Sequence, residues 1–64
     1  MSAEALKEAV GWCYENRVVL SFETPGLVEL RWKGKGSVVE RVAAATIVGA
    51  VYQAKSVMEQ IAKK

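Results

Sequence analysis

Three patterns predict an α+β fold in the order α-β-β-α: an antiparallel β-hairpin covered on one face by two helices, the C-terminal one long and central. The first pattern is a capped amphipathic segment at residues 3–15. The second is a pair of runs with period two, at 17–24 and 27–33, separated by a Pro-Gly turn signal. The third is an apolar, alanine-rich run that opens on a capping signal and fits a helix over 38–62. All 64 residues are expected to form one domain.

The first helix begins cleanly. Ser2 is a capping residue, and Glu4 sits in the first turn, where negative charge is favoured. Leu6, Ala9, Val10 and Cys13 centre its apolar face, flanked by Ala5 and Trp12 on one side and Ala3 and Tyr14 on the other. Asn16 is the residue expected to take the left-handed conformation that ends the helix.

The hairpin follows from alternation. Val18, Leu20 and Phe22 point one way, and Arg17, Val19, Ser21 and Glu23 the other. In the second run Val28, Leu30 and Trp32 face in, while Glu29, Arg31 and Lys33 face out. A one-residue slip would swap every side chain to the other face. The loop must therefore hold an odd number of residues. Thr24-Pro25-Gly26, with Gly26 at positive φ, is the simplest solution; Pro25-Gly26-Leu27 is the rival, because the residue before a proline resists the helical conformation.

The last segment reads as one long helix. Ser37-Val38-Val39-Glu40 has capping-box spacing, and Lys63 and Lys64 place positive charge at the far end. On a helical wheel one face carries Val39, Ala43, Ile47, Ala50, Ala54, Val57, Met58 and Ile61. A second, shorter set lies opposite: Val42, Ala45, Val48, Gly49 and Tyr52. Residues 42–54 carry no charge, yet the run is shorter than the roughly 20 residues that cross a bilayer. Gly49 costs about 1 kcal/mol relative to alanine in a helix, so it calls for a reason. Ala45 and Gly49 at i, i+4 let another backbone approach closely.

Composition sharpens that expectation. A domain of this size buries only about 60% of its unfolded surface and is marginal alone. The chain has a single cysteine and no histidine, so neither a disulfide within the chain nor a zinc site is expected as a staple, and no cofactor is. With 52% hydrophobic residues, self-association is the expected stabiliser. A homodimer built on Val42, Ala45, Val48, Gly49 and Tyr52 is preferred over edge pairing of hairpins. The N-terminal residues lack the pattern of a signal peptide, which points to a cytoplasmic location and no membrane attachment.

Charge offers one further site. Lys33-Gly34-Lys35-Gly36-Ser37 leads into the expected helix start but lacks Walker spacing. Parity places Arg17 and Arg31 on the outward hairpin face at the same end. Arg17, Arg31, Lys33 and Lys35 are therefore candidates for nucleic-acid or anion binding. No aromatic residue alternates with them, which argues against single-strand stacking. Catalytic residues are not expected. Histidine and aspartate are absent, the seven glutamates sit at polar or capping positions, and Cys13 lies on an apolar face. The chain thus reads as a small homodimeric macromolecule-interaction protein, regulatory or adaptor in kind, with another protein as partner. A nucleic-acid-binding module is the alternative.

Overall fold

The computed structural model describes residues 2–62. Lys63, Lys64 and the Ile61 side chain, to which the sequence assigns a helix end and part of a core face, lie outside what is described. The order is α1 (Ala3–Glu15), β1 (Val19–Ser21), β2 (Val28–Lys33), β3 (Val39–Ala44) and α2 (Ile47–Ala62). The α+β class, the antiparallel hairpin and the two covering helices are as the sequence predicts. The difference is a third strand, cut from the front of the expected long helix.

The sheet order is β1-β2-β3, antiparallel throughout. Leu20 lies opposite Leu30, and Leu30 opposite Val42, so Leu30 sits in the middle of the sheet. Both helices pack on that side. Leu30 is fully buried, and Val28 and Trp32 beside it on β2 are also buried. Full burial of such a side chain contributes about 1.5–3 kcal/mol. The core is closed by Ala9 and Cys13 of α1, by Val18, and by Ala50, Val51 and Ala54 of α2.

The β1–β2 turn matches the first of the two loops. The Leu27 N–H donates to the Thr24 carbonyl at 3.1 Å, and Gly26 has φ 77°. Thr24 is then the first residue of a four-residue turn with Pro25 and Gly26 central, so the pre-proline residue stays out of the helical region. Phe22 departs from expectation. β1 ends at Ser21, and Phe22 is 61% exposed beyond it.

Why residues 39–44 form a strand is a matter of competing demands. The run Val38–Ala45 is short and apolar enough to fit either period. As a strand it alternates: Glu40, Val42 and Ala44 face the helices, and Val39, Arg41 and Ala43 face away. A central β2 needs hydrogen-bonding partners on both sides, and a lone hairpin is marginal. The glycines read as a helix approach instead make a reversal. Gly36 has φ 73°, the Ser37 N–H donates to the Gly34 carbonyl at 3.2 Å, and the Gly34 N–H to the Val38 carbonyl at 2.7 Å. Ser37 itself has φ 63°, which rules it out as an N-cap.

The true cap of α2 is Thr46. Its Oγ1 accepts from the Gly49 N–H at 3.0 Å, and its carbonyl from the Ala50 N–H at 3.0 Å. From Ile47 onward the expected core face holds: Ala50 and Ala54 are buried, and Ile47, Val57 and Met58 pack against them. α1 is rotated from expectation. Ala9 and Cys13 are buried, while Leu6 and Val10 are partly exposed and Tyr14 is almost fully so.

The two cap assignments separate the long-helix and three-strand arrangements experimentally. Thr46→Ala is expected to cost about 1 kcal/mol, and Ser37→Ala less than about 0.5 kcal/mol, in urea unfolding curves. A larger loss at Ser37 than at Thr46 would return residues 38–46 to a helix.

Candidate functional site

With both helices on one side, the other side of the sheet is uncovered. Its side chains follow from register. Val19, Arg31 and Arg41 form one row across the three strands; Lys33 and Val39 form the next; Ser21, Glu29 and Ala43 lie on the far side of the arginine row. Directly opposed residues have Cβ atoms about 5 Å apart. Arg31 and Lys33, two apart on one strand, are separated by about 7 Å. The face thus carries Arg31, Lys33 and Arg41, with Glu29 on the turn side of the arginine row and Glu23 in a small cleft beside it, just past the end of β1. Val19 and Val39, 58% and 60% exposed, lie between the cations.

Glu29 tempers this only partly. Its Oε1 lies 3.3 Å from Arg31 Nε, a partly exposed ion pair. Such pairs are worth at most about 1 kcal/mol. The nitrogen is shielded from solvent yet makes no hydrogen bond of good geometry. The Arg31 side chain as a whole remains 43% exposed.

Arg17 joins from the end of α1. The expected strand start at residue 17 and the expected left-handed Asn16 are both corrected by how this helix stops. Asn16 has φ −99°, and Arg17 has φ 56°. The Val18 N–H donates to the Cys13 carbonyl at 2.8 Å and the Arg17 N–H to the Tyr14 carbonyl at 3.3 Å. These bonds make a Schellman ending, with Arg17 where glycine is usual. An L-residue in the left-handed region costs roughly 1–2 kcal/mol. The bend brings Arg17 into a shallow cleft with Val19, Arg31, Lys33 and Val39.

Of the four basic candidates from sequence, Arg17, Arg31 and Lys33 therefore converge. Lys35 is exposed in the β2–β3 turn, at the same end of the sheet but outside the cleft. That turn leads into β3, so no helix N-terminus backs it. Arg41 is the residue that sequence reasoning missed, having been assigned to the helix. The available signal was a pair of alternating runs joined by a short glycine-containing connection.

The five residues expected to form a dimer surface do not share a face. Val42 points into the core side of β3, opposite Leu30. Ala45 is exposed in the bend before α2, and Val48 packs against the core. Gly49 has a local reason: a Cβ there would come 3.0 Å from the capping Thr46 Oγ1 and 3.6 Å from Ala44 Cβ. Tyr52 is 76% exposed, in a groove between α1 and α2 with Trp12 and Met58. Lys55 Nζ lies 5.8 Å from the Trp12 ring centre there. Cys13 is buried, and burial pushes its thiol pKa up, which holds it in the unreactive protonated form.

Comparison with known proteins returns no match: no family model fits the chain, and no curated protein or solved structure is similar to it. Among the described residues, no helix is long and apolar enough to cross a membrane.

Arg17→Gly relieves the left-handed strain without disturbing Val18 or Cys13. It should raise unfolding free energy by about 1 kcal/mol. A loss of stability would mean that the Arg17 side chain holds the fold together.

Proposed function

We propose that the protein is a small binding module, not an enzyme, and that its open sheet face holds the sugar-phosphate backbone of nucleic acid. The observation that carries this reading is the convergence of Arg17, Arg31, Lys33 and Arg41 on one uncovered surface, with Glu29 and Glu23 set toward its turn end. A left-handed arginine at its rim adds support, because strained residues concentrate where function holds them. Spacing agrees as well: alternate residues on β2 lie about 7 Å apart, comparable to successive phosphates along a strand. Trp32 borders the cleft but is only 7% exposed, too little of its ring for a base to stack on. Contacts to phosphates alone give sequence-independent, salt-sensitive binding.

A second reading is a homodimeric adaptor that meets another protein through its helical side. Exposed Tyr52 beside Trp12 and Met58 favours it.

Titration with mixed-sequence duplex DNA and RNA at several salt concentrations tests the first reading. With three or four phosphate contacts, log affinity should fall against log salt with a slope of about −3. Arg31→Ala or Arg41→Ala should each reduce the slope by about 1. Lys7→Ala, on the exposed side of α1 and away from this face, should leave it unchanged. Arg17→Gly should bind more weakly while folding more stably. No binding to either duplex at low salt would reject the reading and leave the adaptor in place.

A further inference from the structure

We infer that a second copy of this chain pairs along the free edge of β3, joining two sheets into one of six strands. The two edges of the sheet are treated differently. β1 is three residues long and is followed by Glu23 and Pro25, features that discourage pairing. β3 is six residues long, keeps unbroken register with β2, and has no proline, lysine or bulge; its charges, Glu40 and Arg41, lie in its first half and leave Val42 to Ala44 uncharged. Its outer backbone groups need a partner or water.

Burial points the same way. The inward residues of β2 are all buried, whereas Val42 and Ala44 of β3 are only half-buried although they face the same core. Leu20 of β1 is half-buried too, so the core is open along both edges; β3 is the longer of the two, and another copy's β3 would close it.

Charge excludes two registers, and of the rest the one centred on Val42 buries the largest opposed pair. Antiparallel pairings that keep both helical layers on one side put some residue opposite its own copy at the two-fold axis. Centring on Arg41 opposes two guanidinium groups, and centring on Glu40 opposes two carboxylates; both are unfavourable. Centring on Val42 opposes two β-branched side chains on the core side. It sets Arg41 opposite the other copy's Ala43, and Glu40 opposite its Ala44. The two open faces then continue into each other. The pairing does not depend on what that face binds.

Sedimentation without nucleic acid, over a range of concentrations, is the test. The protein should sediment as a dimer at micromolar concentration and dissociate on dilution. Ala43→Lys faces Arg41 of the other copy twice by symmetry, and should weaken the dimer roughly tenfold. Within its own chain the same lysine faces Glu29, so the monomer should keep or gain stability. Ala43→Glu should reverse both effects. Amide exchange gives a second readout: β3 amides turned away from β2 should be protected at high concentration and exposed on dilution. A monomer at 100-fold the micromolar range, or a dimer indifferent to both substitutions, would overturn the inference.

Discussion

The structure depends on burying one leucine in the centre of a sheet. Leu30 can be wholly enclosed only if β2 has a strand on each side and helices beneath. Two strands would leave one side of β2 with unpaired backbone groups and an open flank of Val28, Leu30 and Trp32. Recruiting residues 39–44 resolves both at once. It also shortens the last helix to the part that can lie over the sheet, where Ala50 and Ala54 are small enough for close approach. In a chain this short, little other apolar surface is available to offset the entropy of folding.

That demand explains what was legible in the sequence and what was not. The hairpin was readable because alternation and Pro25-Gly26 marked it and parity limited the loop to an odd length; of the two loops that left open, the one with Gly26 at positive φ is the one formed. α1 was readable from Ser2, whose side chain accepts from the Ala5 N–H at 3.1 Å. The third strand was not. Val38 to Ala45 satisfies a helical wheel as well as an alternating pattern, and the choice is made by β2, which is distant in sequence. Ser37 and Glu40 have the spacing of a capping box but not its backbone, since two left-handed residues in succession belong to a reversal. Thr46, the real cap, lacks the glutamate partner that makes such sites conspicuous.

The basic site was half legible for the same reason. Arg31 and Lys33 fell on the outward face by parity alone. Parity placed Arg17 there too, but Arg17 reaches the face through a helix ending, not a strand start; Arg41 could be placed only once its segment became a strand. Reassigning β3 also removes the surplus that a long two-sided helix seemed to carry. Val42 and Val48 serve the chain's own core, and Gly49 makes room for a cap. What remains unpaired is an open charged face, a strand edge and a groove around Tyr52. The proposed contact with phosphates rests on the cations of that face.

Backbone chemical shifts and cross-strand proton contacts for residues 38–46, measured by NMR in solution, test this account most directly. Extended-strand shifts over 39–44, with contacts linking β3 to β2 around the Leu30–Val42 pair and helical shifts beginning only after Thr46, are what the three-stranded core requires. Unbroken helical shifts from Val38 onward, with contacts between residues three apart and none to β2, would contradict it.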